Sequence, residues 1–385
     1  MKRLSSGPGG RIPGSARPRE PSGGVHMHPL TQIRIPKLVR IKRGALGRLG
    51  IYLKRDEHNP VLVLASPLPE ALHARARAAL DQPGDEDAGT RGVEELEVAD
   101  WITVEDNTFE EAIRIFGRLP KRLAAIVGIG GGKALDTAKY VAFLARQPYI
   151  AVPTSLSNDG FCSPQASLTL GGKRRSLPAA LPQGVVLDVE ECLNAPKILW
   201  LSGVGDLVSK LTAVVDWKLA FHRTGERVDD LAALLSDASV YQFLGAPTFD
   251  AGGTSLLGTA LMLNGIAMEI CGSSRPASGS EHLISHALDA ISERPRLHGL
   301  QVGVASYLIS RLQGKQSDII DRLFSETGFW EAVREDPFSK KEWLEAARLA
   351  PFMKEDFYTV LSERDCLPEI AELLDNDPAL DGCFE

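Results

Sequence analysis

Residues 126–136 read Ile-Val-Gly-Ile-Gly-Gly-Gly-Lys-Ala-Leu-Asp, and how that string is read decides the fold. The run Leu123–Ile129 is continuously apolar, as in a strand buried on both faces. It passes straight into Gly130, Gly131 and Gly132, and Lys133–Arg146 then follows with helical periodicity. Glycines tolerate positive φ and let a ligand come close to the backbone. The N-terminus of the helix that follows offers free N–H groups and a positive dipole end, so the whole unit suits a pyrophosphate. A tight strand-to-helix turn with no ligand is the alternative. The spacing is not that of the G-x-G-x-x-G fingerprint with an acidic residue about 20 positions on.

Outward from this turn, strand and helix patterns alternate. Ile33–Ile41 alternates apolar and polar residues, Pro60–Ala65 is a short buried run, and Pro69–Leu80 is helical. Trp101–Val104 reads as a strand, Thr108–Arg118 as an amphipathic helix and Tyr149–Val152 as a strand. Ser167–Leu170 and Lys173–Ser176 form a hairpin about Gly171-Gly172. Asp81–Leu96, acidic and broken by Pro and Gly, reads as a surface loop. From about Ala195 the character changes to long Ala/Leu-rich stretches: Leu207–Phe221, Asp229–Leu244, Ser255–Ile270, Glu281–Ile291 and Leu300–Gln313. The pattern predicts an α/β domain with a mostly parallel sheet over 31–194, then an all-helical domain over 195–385. A ligand cleft is expected between them.

Composition narrows the function classes. Of 385 residues 44% are hydrophobic and 24% charged, which fits a folded globular chain rather than a disordered one. No run of about 18 uncharged apolar residues stands out, which argues against membrane insertion. Residues 1–26 carry five basic groups against Glu20, a net of +4; with −7 for the whole chain, the remainder carries −11. Such a body is not a nucleic-acid face, and an anionic ligand must be held by local geometry. The first 30 residues read as a disordered basic tail, broken by Gly and Pro and lacking the apolar core of an export signal. Five scattered cysteines without a C-x-x-C pair fit the reducing cytoplasm.

Two further segments carry chemistry. Val152–Pro164 reads V-P-T-S-L-S-N-D-G-F-C-S-P and gathers Thr154, Ser155, Ser157, Asn158, Asp159 and Ser163 after a strand. Open α/β sheets bind ligands at that end, although such residues also simply favour turns. Arg275–Asp289 places His282 and His286 four apart on one helix face, with His298 shortly after. Two imidazoles and a carboxylate would leave open positions on a divalent metal, and Asp206 is the candidate carboxylate. Asp206 could equally be a cap or first-turn acid at a helix start, and His286 a hydrogen-bonded core histidine.

The strings G-I-G-G-G-K-A-L-D-T-A-K-Y, V-P-T-S-L-S-N-D-G-F-C-S-P, G-V-G-D-L-V-S-K, R-P-A-S-G-S-E-H-L-I-S-H-A-L-D and L-H-G-L-Q-V-G-V, in this order, resemble the sn-glycerol-1-phosphate dehydrogenase family. That family lies within the iron-containing alcohol dehydrogenase and dehydroquinate-synthase-like superfamily. The resemblance implies that Gly130, Gly131, Gly132, Lys133 and Asp136 hold the pyrophosphate of NAD(H) or NADP(H). Thr154, Ser155, Ser157 and Ser163 would contact its nicotinamide half. Asp206, His282 and His298 would bind one divalent ion, Zn2+ or Ni2+ before Fe2+. Asp159 and His286 would act on the substrate, with Asp206 beside them. The implied reaction is reduction of dihydroxyacetone phosphate to sn-glycerol 1-phosphate and its reverse, in glycerophospholipid-type metabolism. The implied partner is thus a small phosphorylated three-carbon compound, with room for a homo-oligomer. Another polyol or secondary-alcohol dehydrogenase of the superfamily is the alternative, with a dehydroquinate-synthase-like cyclase behind it. One departure is Leu300, where the resemblance predicts a polar or acidic residue after the glycine. Lys173, Arg174 and Arg175 form a basic cluster that is either a phosphate contact or a solvated hairpin.

Overall fold

Six parallel strands make the central sheet: β1 (Leu38–Lys42), β2 (Val61–Ala65), β3 (Val98–Thr103), β4 (Ala125–Gly130), β5 (Tyr149–Pro153) and, after a hairpin, β8 (Gly184–Asp188). Their order is β1-β8-β5-β4-β2-β3. This computed structural model describes residues 33–81 and 95–385. The basic tail and nearly all of the acidic loop therefore lie outside the described residues.

Alternation along each strand explains the layering. Val61, Val63 and Ala65 of β2 face one way, against α1 (Leu49–Arg55) and α2 (Glu70–Leu80). Leu62 and Leu64 face the other way, against α3 (Phe109–Phe116) and α4 (Gly132–Ala145). Side chains two apart share a face, so a strand covered on both sides must be apolar throughout, as β2, β4 and β5 are. From β2 the chain moves outward to β3, whereas from β4 it moves the opposite way to β5. The sheet thus reverses direction between β2 and β4, the place where open α/β sheets receive ligands. The expected hairpin is present as β6 (Gln165–Leu170) and β7 (Lys173–Pro178). Gly171 and Gly172 turn it at φ +58° and +76°, a conformation that favours glycine.

The second half is helical: α5 (Val189–Asn194), α6 (Lys197–Thr224), α7 (Asp230–Leu244), α8 (Ala251–Cys271), α9 (Ser280–Ile291) and α10 (His298–Gln313). It continues with α11 (Ser317–Thr327), α12 (Phe329–Glu335), α13 (Lys340–Leu349), α14 (Val360–Glu363) and α15 (Leu367–Asn376). By length and composition α6 and α8 could cross a membrane, but 83% and 56% of their most apolar windows are buried inside the protein. Their apolarity serves a core. Residues 34–385 form one compact unit. Its largest core cluster takes Leu135, Leu156, Val185 and Leu187 from the α/β part together with side chains of α6 to α15, so the two halves share an interior. All five cysteines are unpaired.

Three expectations need correction. The first strand starts at Leu38, not Ile33, because Pro36 has no N–H for a ladder. The sequence reading missed β8, which fills the place between β1 and β5. Finally, α6 starts at Lys197, so Asp206 is neither a cap nor a first-turn acid; it lies well inside the helix. Gly203 and Gly205 are interior residues required by packing. A Cβ on Gly203 would lie 2.2 Å from Leu156 O, and one on Gly205 2.1 Å from Gly299 O.

Candidate active site and metal centre

The crossing of α6 over α10 builds the centre. Gly205 on one helix faces Gly299 and Gly303 on the other; a Cβ on Gly303 would lie 2.9 Å from Gly205 Cα. Small residues let the two backbones approach closely. That approach brings Asp206 beside His298, the first residue of α10, while α9 supplies His282 and His286. His282 Nε2 lies 3.7 Å and His298 Nε2 3.9 Å from Asp206 Oδ1. One ligand atom from each of the three lies within 4.8 Å of the others. Ligand bonds of about 2.0–2.2 Å to a shared divalent ion match such spacing after slight contraction.

The far side of each ring is held. His282 Nδ1 lies 2.9 Å from Glu281 Oε1, and a carboxylate can only accept, so the proton sits on Nδ1 and Nε2 is free to ligate. Glu281 is fully buried and also accepts from Gly279 N at 2.5 Å and Thr212 Oγ1 at 2.9 Å. His298 Nδ1 lies 3.1 Å from Ser285 Oγ, which accepts from Gln301 Nε2 at 3.0 Å. Two imidazoles aimed by outer partners, one buried carboxylate and an open side are a donor set that fits Zn2+ or Ni2+. His286 stands apart from this set, its ring centroid 6.3 Å from those of His282 and His298, and it opens to solvent. Leu300, the departure noted in the sequence, is a buried member of the helical core cluster.

Electrostatics separates the roles. Burial works against the charge of Asp206, but Lys210 and the neighbouring histidines outweigh it and hold the carboxyl well below its ordinary range. Burial also opposes charge on His282; the hydrogen bonds its ring donates to Asp206 and Glu281 overcome it and raise the value. His298 is pushed well down by burial and by His282. His286, although open to solvent on one side, is lowered first by desolvation of its ring and then by the charges of His282, Arg174 and Lys354. Asp159 is raised by burial and by Asp206. Lys210 has no solvent exposure and bridges the two acids, with Nζ 2.9 Å from Asp159 Oδ2 and 3.4 Å from Asp206 Oδ2. Asp159 N also donates to Asp206 Oδ2 at 2.9 Å.

A second set of groups lies at the reversal of the sheet. Gly130 ends β4 with φ +130°, and a Cβ there would strike Ser66 Oγ at 2.2 Å. Ser66, following β2, accepts from Gly131 N at 3.1 Å. A Cβ on Gly131 or Gly132 would meet nothing within 4 Å, so the turn borders open space at the start of α4. Among the described residues no side chain caps that helix. Bare N–H groups beside open space fit a pyrophosphate. Lys133 is exposed next to the turn, while Asp136 is buried and paired with Lys139 Nζ at 3.2 Å. Thr154 N donates to Gly130 O at 3.1 Å, which ties the serine loop to the glycine turn. Thr154, Ser155 and Ser157 are half-buried there, and Ser163 Oγ donates to Gln165 O at 2.9 Å. Asn158 caps the short 3-10 turn Asp159–Cys162 by accepting from Gly160 N at 2.8 Å.

The structure therefore gathers Asp159, Asp206, His282, His286 and His298, and separately the glycine turn with the serine loop. Sequence reasoning passed over Lys210, Glu281, Ser285 and Ser66. Lys210 lies four residues after Asp206, and Glu281 and Ser285 flank His282 on α9, so spacing held the only signal.

Comparison with known proteins shows the family and the fold. A family model described as iron-containing alcohol dehydrogenase matches residues 40–196. A glycerol-1-phosphate dehydrogenase (NAD(P)+) of Metallosphaera sedula is 33% identical, covering 92% of this chain and 98% of its own. One of Aeropyrum pernix is 35% identical, covering 89% and 96%. Among solved structures, glycerol dehydrogenase from Schizosaccharomyces pombe superposes with a TM-score of 0.69 at 18% identity, over 91% of this chain and 90% of that one. At that identity the likeness is one of fold.

Proposed function

This chain belongs to the glycerol-1-phosphate dehydrogenase family, and from that premise we propose that it interconverts dihydroxyacetone phosphate and sn-glycerol 1-phosphate with NAD(P)H and NAD(P)+. The observation that carries the reading is the convergence of Asp206, His282 and His298 beside Asp159. The divalent ion these residues would hold supplies Lewis acidity at the substrate's C2 oxygen, and the dinucleotide supplies or accepts the hydride. The chain's own groups do the rest. Glu281 and Ser285 keep both imidazole Nε2 atoms aimed inward. Asp159 orients a substrate hydroxyl, and Lys210 fixes its carboxylate at 2.9 Å. His286 and Asp159 are the side chains placed to relay a proton to or from the alcohol oxygen. The glycine turn and α4 N-terminus take the pyrophosphate, which an acidic body could not attract by net charge. Unpaired cysteines agree with work in the cytoplasm.

The test is metal content together with NADH and NADPH oxidation by the purified protein. Metal-dependent turnover of dihydroxyacetone phosphate is expected. Activity with dihydroxyacetone alone would move the protein to another polyol dehydrogenase, and no net NADH change would favour a cyclase.

A further inference from the structure

We propose that Arg174 of β7, assisted by Lys354, binds the phosphate of the three-carbon substrate. This rests on the reading above and names the group that recognises the phosphorylated end.

Among the described residues, two of the cations near the site have nothing left to give. Lys139 and Lys210 are without solvent exposure. Lys139 Nζ is engaged by Asp136 Oδ1 at 3.2 Å, Gly160 O at 2.5 Å and Gln165 O at 2.6 Å. Lys210 Nζ is engaged by Asp159, Asp206 and Ala277 O. An ammonium carries three protons, so each is saturated within the protein.

Arg174 is different. Its Nε donates to Ser167 Oγ at 2.6 Å, which fixes the stem across the hairpin. The side chain is 49% exposed, and Nη1 lies 3.8 Å from Asp289 Oδ2, a loose ion pair beyond hydrogen-bond range. Among the described residues neither terminal nitrogen donates a hydrogen bond. Asp289 lies one helical turn past His286 on α9 and accepts from Gln301 Nε2 at 3.1 Å, the same amide that bonds Ser285 beside His298. The guanidinium therefore stands at the edge of the histidine cluster with its fork open, the geometry that takes phosphate bidentately. Strand alternation turns Lys173 and Arg175 to the other face of the hairpin, which selects one of the three basic residues.

Lys354 approaches from a second element. It follows the 3-10 turn Ala350–Phe352, which packs on α9, and its Nζ lies 3.0 Å from Ser274 Oγ. A phosphate on the open fork of Arg174 would sit by Asp289 at the edge of the histidine cluster, leaving the carbonyl end of the substrate toward Asp206.

The experiment uses the metal-loaded full chain and its Arg174→Gln, Arg174→Lys and Lys354→Gln variants. Steady-state kinetics compares dihydroxyacetone phosphate with dihydroxyacetone, and a 31P NMR titration follows inorganic phosphate with NADP+ bound. Metal content and NADPH fluorescence check that each variant is intact. For Arg174→Gln the ratio of kcat/KM for the phosphorylated to the unphosphorylated substrate falls about 10- to 100-fold, chiefly through KM, as for a lost charge-assisted hydrogen bond. Phosphate binding weakens in parallel, Arg174→Lys recovers part of it, and Lys354→Gln loses less. An intact Arg174→Gln protein with the wild-type ratio and wild-type phosphate affinity overturns the assignment. A wild type that ignores dihydroxyacetone phosphate but binds phosphate through Arg174 overturns the proposed reaction and leaves the anion site standing.

Discussion

Gly205→Ala tests whether the crossing of two helices positions the metal ligands. The added Cβ would lie 2.1 Å from Gly299 O and 2.9 Å from Phe329 Cε2. The first atom is backbone and cannot swing away. Real contacts of this kind do not fall under 3.0 Å, so α6 and α10 must separate locally by about 1 Å. Asp206 lies one residue on and His298 one residue before the struck carbonyl, so the separation acts directly on their 3.9 Å pair. Ligand distances in a sound metal site lie within about 0.2 Å of their ideal values. Zinc affinity should fall at least tenfold. Overpacking costs about 1–3 kcal/mol, and alanine's better helix propensity returns up to about 1 kcal/mol, so metal-free stability should fall by about 0–3 kcal/mol. The separation of these two readouts is the signature. Competition of zinc against a chelator gives the affinity, and urea unfolding of the metal-free protein gives the stability. Wild-type zinc affinity in a folded Gly205→Ala protein would refute the idea that close approach sets the site.

Three other outcomes follow from the same geometry. Glu281→Gln keeps an acceptor for His282 Nδ1 but loses the charge, so calorimetric zinc affinity should drop about 10- to 100-fold; unchanged affinity would make Glu281 a packing residue. Lys210→Met leaves two buried carboxylates unbalanced, so the metal-free protein should lose about 3–5 kcal/mol in urea unfolding, part of it restored by zinc. Equal stability to wild type without metal would remove Lys210 from its bridging role. Asp216 is fully buried, and burial followed by Glu281 pushes it up to about 6 from 3.8. The folded protein thus holds this proton more tightly than the unfolded chain. Its contribution is present below about pH 4 and lost as pH rises through 6, about 3 kcal/mol in all. Metal-free wild type should therefore lose stability relative to Asp216→Asn between pH 4.5 and 7.5, and parallel profiles would sink the assignment.

Features written in neighbouring residues were readable before the fold was seen. The glycine turn announces itself because strand, glycines and helix are contiguous, and the hairpin because Gly171-Gly172 demands a turn. Histidines four apart can share only one helix face. Features decided by distant packing were not readable. Gly203 and Gly205 resemble helix breakers until Leu156 O and Gly299 O are seen pressed against them. Lys210 resembles a solvated lysine on a helix, since nothing local says that Asp159 and Asp206 enclose it. Glu281 passes for an ordinary first-turn acid that favours the helix dipole. Five residues of β8 between Pro182 and α5 are too short a run to claim a strand by pattern alone, and the sheet gives them their place.

The bond between Thr154 N and Gly130 O begins a continuous tie that runs through the serine loop and ends where Asp159 N meets Asp206. Its two ends touch the sites proposed for dinucleotide and metal. Whatever stiffens this segment from one end lowers the ordering entropy left for the other, so the two loading events share a coupling free energy. Reciprocity then holds: if zinc sharpens the affinity for NADPH by some factor, NADPH must slow zinc's escape or speed its capture by that same factor overall. A cell short of metal would accumulate protein that is also poor at holding its nicotinamide partner, and would sequester less of it in idle enzyme.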